Sequence, residues 1–425
     1  MKVGICTLGC KVNTYESEYI KNLLINHNYE IGDFNDICDI YIINTCSVTN
    51  TADSKSRKMI NRAINKNKDA IIIVMGCFVE ANKNYNIDGI DIIIGNKDKA
   101  NILDLIDEYK QNKHQVRKIY DNFDDDFEDM NVTTFGSRSR AFVKIQDGCE
   151  NFCSYCIIPY TRGRCRSKDK DKVIKEIQDL VNNGYKEIVL TGIHTGHYGV
   201  DKDYNFSSLL REIENIDGLK RLRISSIEIT ELDDEFLSVL KNSSIIVDHM
   251  HIPLQSGTDV ILKLMNRKYD TKYYKDKIQS IRNIRPNISI TTDVIVGFPE
   301  ETDELFNKTC NFIKELELSK IHVFPYSKRN NTEASTMDNQ IDEHIKKERC
   351  KKLINLSNEL ENNYMNKFLD KELEVLVEVE KDSYSIGHTS NYLLIKTDKL
   401  VNKDEIVKVK IISNEYPYLI GKVIN

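Results

Sequence analysis

Three cysteines, Cys149, Cys153 and Cys156, lie close together in the segment "DGCENFCSYCIIPYTRGRCRS", with the spacing C-x3-C-x2-C. Thiolates grouped in this way bind zinc or iron–sulfur clusters. Structural zinc usually takes four protein ligands, and the nearby Cys165 is a candidate for the fourth, so zinc remains an alternative. A [4Fe–4S] cluster normally takes one thiolate for each iron, and three thiolates leave one iron open to a substrate or cofactor.

Three more cysteines share one position relative to the predicted strands. Cys10, Cys46 and Cys77 each come just after an apolar, strand-like run, in "KVGICTLGC", "IYIINTC" and "IIIVMGC". Parallel strands end at the same edge of their sheet, and open α/β sheets bind ligands at that edge. Three unconnected buried cysteines are the alternative, since cysteine is common in buried strands. We predict that these thiols converge and hold a second [4Fe–4S] cluster with an open iron.

The elements that must position these cysteines form an α/β fold in four segments. Residues 1–112 alternate strand and helix patterns, which predicts a parallel sheet covered on both faces. Residues 113–138 are polar and acidic and are predicted to be a linker. Residues 139–369 predict a partial (βα)6 barrel, with its chemistry at the carboxyl ends of the strands, followed by a long helix. Residues 370–425 alternate apolar and polar residues, which predicts a small antiparallel β-barrel.

The composition limits the class of protein. The chain has 425 residues, 40% of them hydrophobic and 30% charged, as expected of a globular protein. Its formal net charge of −6 gives no general attraction for nucleic acid, so an RNA site would need local basic clusters. The longest apolar runs are too short to span a bilayer, and we predict no membrane partner. Eleven cysteines in a cytoplasmic protein indicate metal or cluster binding rather than disulfides.

The triple-cysteine loop resembles the signature of the radical S-adenosylmethionine (radical SAM) superfamily, including an aromatic residue, Tyr155, before the last cysteine. The resemblance implies that the open iron binds S-adenosylmethionine and that one electron cleaves this cofactor to a 5'-deoxyadenosyl radical. It also implies further cofactor contacts near the strand ends, although ordinary strand ends and turns are the alternative for each one. These residues are Thr191, Gly192, Ser225, Glu228, Gln255 and Asp293.

With the second cysteine set and the tail, the whole chain resembles the methylthiotransferases, whose C-terminal β-barrel is called TRAM. The resemblance implies insertion of a methylthio group at an unactivated C–H bond. One S-adenosylmethionine would methylate sulfur and another would yield the radical, while the N-terminal cluster supplies or holds the sulfur. The reaction needs an electron donor, and no side chain stands out as a general acid or base.

The segments "GCKVNTYESE" and "GCENFCSYCIIPYTRGRCRS" are most similar to the branch that acts on N6-threonylcarbamoyladenosine at position 37 of tRNA. The isopentenyladenosine branch usually carries Gln-Met-Asn in place of Lys11, Val12 and Asn13, and the ribosomal-protein branch carries Pro-Lys-Asn. Both sister branches remain alternatives, as does a non-catalytic iron–sulfur protein that binds RNA.

Basic residues beside the cysteine loop are candidates for contact with the tRNA anticodon loop. They are Arg162, Arg164 and Arg166, and a second basic cluster holds Lys55, Arg57, Lys58 and Arg62. Arginine and lysine side chains bind phosphate, but a solvated charged surface is the alternative for both clusters.

Overall fold

The fold begins with a six-stranded parallel sheet, in a computed structural model that describes residues 1–85, 88–120, 126–136 and 138–424. The strand order is β2-β1-β3-β4-β5-β6. The strands are β1 (Lys2–Thr7), β2 (Glu30–Gly32), β3 (Ile40–Thr45), β4 (Ile71–Gly76), β5 (Ile92–Ile94) and β6 (Val116–Lys118). The helices are α1 (Lys11–Asn26), α2 (Asn50–Lys66), α3 (Cys77–Ala81) and α4 (Ile102–Asn112).

The central strands of this sheet are buried because their sequences are continuous apolar runs. Every residue of β3, "IYIINT", and of β4, "IIIVMG", is buried, and separate apolar clusters cover the two faces of the sheet. This agrees with the prediction of a parallel sheet covered on both sides. The edge strands β2 and β6 are short, and β6 lies beyond residue 112, where the first segment was predicted to end.

Part of the predicted linker is packed rather than free. Met130, Val132 and Phe135 are buried in the apolar core of the following barrel, together with Tyr15 of α1. The prediction of a polar linker is therefore wrong for these residues, which join the first sheet to the barrel. The acidic run at 121–125 lies outside the described residues.

The central segment is an open barrel of six parallel strands in two three-stranded sheets, β11-β10-β7 and β12-β13-β14. A bridge between Leu222 and Ile246 joins the two sheets. The strands are β7 (Arg140–Lys144), β10 (Glu187–Thr191), β11 (Arg221–Ile224), β12 (His249–His251), β13 (Ser289–Val296) and β14 (Lys320–Pro325). A separate antiparallel pair is formed by β8 (Gln146–Asp147) and β9 (Arg166–Ser167).

Helices follow or cover these strands, as predicted for a partial (βα)6 barrel. They are α5 (Ile158–Arg162), α6 (Lys170–Asn182), α7 (Phe206–Ile213), α8 (Asp234–Asn242), α9 (Asp259–Leu264), α10 (Thr271–Ile284), α11 (Asp303–Leu316) and α12 (Glu343–Asn366). Short 3-10 helices lie at Lys99–Asn101, Thr195–His197, Ile229–Glu231 and Glu333–Ser335. Among helices of the described ranges, none is both long and apolar enough to cross a bilayer.

The tail is a closed five-stranded barrel in the order β15-β16-β17-β19-β18, which confirms the predicted β-barrel. Its strands pair antiparallel as predicted except for β17 and β19, which pair in parallel. Its strands are β15 (Glu372–Glu380), β16 (Ser385–Thr389), β17 (Leu394–Thr397), β18 (Ile406–Glu415) and β19 (Tyr418–Val423). The loop before β17 reaches the amino end of the open barrel. There the ring of Tyr392 lies 4.9 Å from the ring of His249 and 4.7 Å from the guanidinium carbon of Arg223.

Candidate functional site

The triple-cysteine loop is folded back on the segment that follows it. Gly148 precedes Cys149 and has a φ of +78°, and a Cβ at Gly148 would lie 1.8 Å from the carbonyl oxygen of Arg164. Only glycine fits this close approach. The amide of Cys149 then donates to Gly163 O at 3.0 Å, and the amide of Cys156 donates to Cys153 O at 2.9 Å. These backbone contacts therefore fix the conformation of the loop.

Two basic side chains contact the thiols of this loop. Nη1 of Arg267 lies 3.1 Å from Sγ of Cys153, and Nδ1 of His194 lies 3.7 Å from Sγ of Cys149. Burial lowers the pKa of His194, but its hydrogen bonds with Cys149 and Glu231 outweigh burial and raise that pKa to about 10. Both side chains are therefore cationic donors, which suits thiolates better than thiols.

The loops that carry Cys10 and Cys46 touch each other. Gly9 has a φ of +101°, and a Cβ at this position would lie 2.8 Å from the Cβ of Cys46. Burial, followed by the nearby Cys77 and then Cys10, raises the pKa of Cys46 to about 12. The loops of Cys10 and Cys46 are therefore adjacent at the carboxyl edge of the sheet, where Cys10 is exposed and Cys46 and Cys77 are buried.

Asparagine side chains flank two of these thiols. The Cys10 thiol donates to Asn13 Oδ1 at 3.7 Å, and Nδ2 of Asn96 lies 3.4 Å from Sγ of Cys77. The same Asn96 amide donates to Thr161 O at 2.7 Å, in the helix that follows the other cysteine loop. Asn96 therefore joins the two cysteine regions.

A buried ion-pair network, centred on Arg162, lies between the two cysteine sets. Nη1 of Arg162 contacts both carboxylate oxygens of Asp147 at 3.0 Å and Oε1 of Glu16 at 3.1 Å, and its Nη2 donates to Asn13 Oδ1 at 3.0 Å. Lys144 and Lys99 also pair with these carboxylates. Three cations thus face two carboxylates, and the surplus positive charge suits an anionic thiolate cluster nearby.

This network corrects part of the predicted RNA site. The Arg162 side chain is fully buried, so the prediction that it contacts RNA is wrong. Arg166 is also buried, and its Nη2 donates to Arg162 O at 2.9 Å. Arg164, in contrast, is exposed beside the cysteine loop. All four basic residues of the second cluster on α2 are exposed, namely Lys55, Arg57, Lys58 and Arg62.

The spread of the thiols argues against a single zinc ion. Tetrahedral Zn–S bonds of about 2.3 Å place the sulfur atoms within about 4 Å of one another. Within the described ranges, the one set of three ligand atoms mutually within 4.8 Å comes from His194, His197 and Glu231, and includes no cysteine. The buried Cys165 thiol is 3.5 Å from His197 O and accepts from Gln146 Nε2 at 3.0 Å. The wider spacing of each cysteine set fits a larger, multi-iron cluster.

The predicted cofactor residues lie at the carboxyl ends of the barrel strands. Tyr155 packs against an apolar cluster that includes Phe298 and Tyr326. Thr191 is buried at the end of β10, and a Cβ at the adjacent Gly192 would lie 2.9 Å from Oε1 of Gln146. A larger residue in place of Gly192 would therefore clash with the side chain of Gln146.

The remaining predicted cofactor residues surround the same end of the barrel. Glu228 forms an ion pair with Arg267, next to Cys153. Gln255 has a φ of +66°, which is a sparsely populated conformation. Its backbone N–H donates to the backbone oxygen of Asp293 at 2.8 Å. Asp293 Oδ1 lies 3.3 Å from Nε2 of His251.

A cavity of about 600 Å³ fills the lumen of the open barrel. This volume lies in the range of small-molecule sites. Ser225 and Asp293 line the cavity from the barrel, and Tyr392 lines it from the C-terminal β-barrel. Lys11, the residue after Cys10, lines it from the first segment. The cavity therefore connects residues of all three folded segments.

A second ion pair holds the Cys46 loop against the barrel. Nη2 of Arg329, in the segment after β14, contacts Asp53 Oδ2 and Ser47 Oγ, each at 2.7 Å. Its Nη1 donates to Asn50 Oδ1 at 2.8 Å. Because Ser47 follows Cys46, these contacts hold the Cys46 loop against the segment after β14.

Sequence reasoning missed the residues that support the cysteines. Arg267, His194 and Asn96 are distant from their cysteine partners in the chain, and no local pattern marks them. Glu16 was missed as well, because the sequence of α1 does not show that this polar residue is buried.

Comparisons with known proteins show the family to which this chain belongs. The sequence matches the Radical SAM superfamily over residues 143–313 and the Uncharacterized protein family UPF0004 over residues 2–95. It is 45% identical to the threonylcarbamoyladenosine tRNA methylthiotransferase MtaB of Bacillus subtilis, covering 99% of this chain and 96% of that protein. The protein of the same name from Aquifex aeolicus is 37% identical, over 97% of this chain and 100% of that protein.

A tRNA-2-methylthio-N(6)-dimethylallyladenosine synthase of Clostridium tetani is 36% identical, over 95% of this chain and 91% of that protein. Among solved structures, the radical S-adenosylmethionine methyltransferase TsrM of Kitasatospora setae, with cobalamin and a [4Fe-4S] cluster bound, matches with a TM-score of 0.58. The identity is 14%, and the match covers 79% of this chain and 76% of that chain, which shows a shared fold. These matches confirm the predicted family: the chain belongs to the tRNA methylthiotransferases of the radical SAM superfamily.

Proposed function

We propose that this enzyme methylthiolates C2 of N6-threonylcarbamoyladenosine at position 37 of tRNA, beside the anticodon. The geometric observation that carries the proposal is the cavity lined both by Lys11, next to Cys10, and by residues at the ends of the barrel strands. A base in this cavity would lie beside Lys11, the residue after Cys10. The substrate follows the name of the Bacillus subtilis relative, whose 45% identity exceeds the 36% of the Clostridium tetani dimethylallyladenosine enzyme.

In this proposal each cysteine set holds one [4Fe–4S] cluster, the first set being Cys149, Cys153 and Cys156 and the second Cys10, Cys46 and Cys77. When bound, the barrel cluster and S-adenosylmethionine supply the electron and the radical chemistry that removes hydrogen from C2, and the second cluster supplies or holds sulfur. The chain orients these groups. Arg267 and His194 donate hydrogen bonds to Cys153 and Cys149. The Arg162 network keeps the two cysteine sets at a fixed separation.

The proposed contacts with S-adenosylmethionine are the predicted residues at the strand ends, namely Tyr155, Thr191, Gly192, Ser225, Glu228, Gln255 and Asp293. Of these, Ser225 and Asp293 also line the cavity. Glu228 is already paired with Arg267, so it would act mainly by holding that arginine beside Cys153.

The tRNA would meet the enzyme through exposed basic residues. Arg164 lies at the cysteine loop, and the exposed face of α2 adds the second basic cluster. Position 37 lies in a single-stranded loop, where a base can leave the stack and enter a cavity. We expect the reaction to take place in the cytoplasm, and the barrel cluster needs an electron donor there.

The test is a reconstituted reaction under anaerobic conditions, with threonylcarbamoylated tRNA, S-adenosylmethionine and a chemical reductant. The expected products are 5'-deoxyadenosine and 2-methylthio-N6-threonylcarbamoyladenosine, quantified by mass spectrometry. Methylthiolation of isopentenyladenosine tRNA alone would move the enzyme to the sister branch. Failure to cleave S-adenosylmethionine with both clusters assembled would contradict the proposed enzyme activity.

A further inference from the structure

The charge of the barrel cavity is strongly asymmetric. Among the described residues that line it, five are lysine or arginine and two are carboxylates. Three of these cations already have carboxylate partners. Arg140 pairs with Glu378, Arg223 pairs with Glu187, and Lys320 pairs with Glu361.

The other two cations are Lys11 and Arg138, and neither forms an ion pair with a described residue. Arg138 lies over the ring of Phe142, with its guanidinium carbon 5.5 Å from the ring centre. The ammonium group of Lys11 makes no hydrogen bond with a described residue. Both residues are exposed to solvent at the cavity, and a cation without a carboxylate partner attracts an anionic ligand group.

Lys11 also has a special place in the proposed reaction. It directly follows Cys10 at the start of α1, so its side chain enters the cavity from the cysteine edge of the first sheet. In adenine, C2 and the carbon that bears N6 flank the same ring nitrogen. If C2 faces the second cysteine set, the substituent on N6 must lie beside that set as well.

We propose that Lys11 binds the free carboxylate of the threonylcarbamoyl group and so determines substrate specificity. The inference rests on the proposed function and names the group that the site recognises. In a threonylcarbamoyl group, threonine is attached through its amino nitrogen, and its carboxylate remains free and anionic. A dimethylallyl group carries no charge and would leave the ammonium group of Lys11 unpaired.

The test combines a change in the enzyme with a change in the substrate. Wild-type enzyme and Lys11→Gln are each assayed on threonylcarbamoylated tRNA with a free carboxylate and on the same tRNA with that carboxylate as its methyl ester. For the wild type, esterification should lower kcat/KM by about tenfold to a hundredfold, the size expected for one charge-assisted hydrogen bond. For Lys11→Gln, the two substrates should react with similar kcat/KM.

Three controls keep the result specific. Lys11→Arg keeps the charge and should retain discrimination between acid and ester. Arg138→Gln removes the other unpaired cation of the cavity and should also retain it. Iron content and reductive cleavage of S-adenosylmethionine without tRNA should stay at the wild-type level in Lys11→Gln, which shows that both clusters assemble beside the changed residue. Binding of the two tRNAs, measured by fluorescence anisotropy, should show the same loss of discrimination.

The possible failures are distinguishable. If wild-type enzyme cleaves S-adenosylmethionine but does not methylthiolate the free-carboxylate tRNA, the proposed function is wrong, and the role of Lys11 is wrong with it. If the wild type is active and esterification has the same effect in Lys11→Gln, the role of Lys11 alone is wrong. Loss of discrimination in Arg138→Gln instead would assign the carboxylate to Arg138.

Discussion

Nη1 of Arg162 lies 3.1 Å from Oε1 of Glu16, and both side chains are fully buried. Arg162 ends the helix that follows Cys156, and Glu16 lies on the helix that follows Cys10. This one contact therefore joins the loop of the barrel cysteines to the loop of the first sheet. Its position explains how the fold can hold two cysteine sets, far apart in sequence, at a fixed separation.

Replacement of Arg162 should strongly destabilise the protein. Arg162→Met would leave Glu16 and Asp147 buried with less compensating charge, and the removal of one partner from a buried ion pair costs about 3–5 kcal/mol. Urea unfolding of the cluster-free chain, followed by circular dichroism, would measure this loss. Arg164→Met removes an exposed arginine two residues away and should change the unfolding midpoint little. Similar midpoints for the two variants would contradict the structural role of Arg162.

The destabilisation caused by Arg162→Met should depend on pH. Burial raises the pKa of Glu16, but Lys99, Arg162 and Lys144 outweigh it and hold that pKa well below the ordinary 4.5. A carboxyl group of this kind stabilises the fold fully above its unfolded pKa, and the stabilisation is lost as the pH falls towards the folded pKa.

The difference in unfolding free energy between wild type and Arg162→Met should therefore be largest above about pH 5 and should shrink towards pH 3. Unfolding of both cluster-free proteins at several pH values would measure it. A difference that stays constant over this range would show that the ion pair with Glu16 does not cause the destabilisation.

Substitutions of single cysteines should separate the two half-reactions. Cys153→Ala should abolish reductive cleavage of S-adenosylmethionine, because it removes a ligand of the barrel cluster. Cys46→Ala should leave that cleavage intact and block methylthiolation. Each variant should hold about half of the wild-type iron, since four irons belong to each cluster. Unchanged methylthiolation by Cys46→Ala would contradict this division of labour.

Arg267 should set the reduction potential of the barrel cluster. Its guanidinium lies 3.1 Å from Sγ of Cys153, and hydrogen bonds to cluster sulfur raise the potential. Arg267→Met should shift the potential in the negative direction and make the cluster harder to reduce, with Arg267→Lys between the two. A redox titration followed by electron paramagnetic resonance would measure the shift. As a control, Lys351→Met removes an exposed cation on α12 and should leave the potential unchanged.

Much of the fold could be predicted because its signals are local. The runs "IYIINT" and "IIIVMG" are apolar or nearly so along their length, and every residue in them is buried. The strand β16 is hard to recognise in the sequence because "SIGHT" is short and mixes polar residues with glycine. The packing of Met130, Val132 and Phe135 was missed because isolated apolar residues in an acidic stretch form no periodic pattern.

The site was less predictable where it depends on contacts between distant segments. The cysteines could be identified from spacing and from their positions after strands. Arg162 was assigned to the surface because a basic cluster in sequence does not reveal burial, and its partner Glu16 lies 146 residues away. The unpaired Lys11 in the cavity is visible only once the first sheet, the barrel and the tail are assembled.

The most direct test of the proposed function compares the modified nucleosides of tRNA, by mass spectrometry, from cells with and without this protein. We expect cells without it to lose 2-methylthio-N6-threonylcarbamoyladenosine and to accumulate N6-threonylcarbamoyladenosine. Wild-type protein should restore the methylthio form, and Cys153→Ala should not. An unchanged level of 2-methylthio-N6-threonylcarbamoyladenosine in cells without the protein would contradict the account.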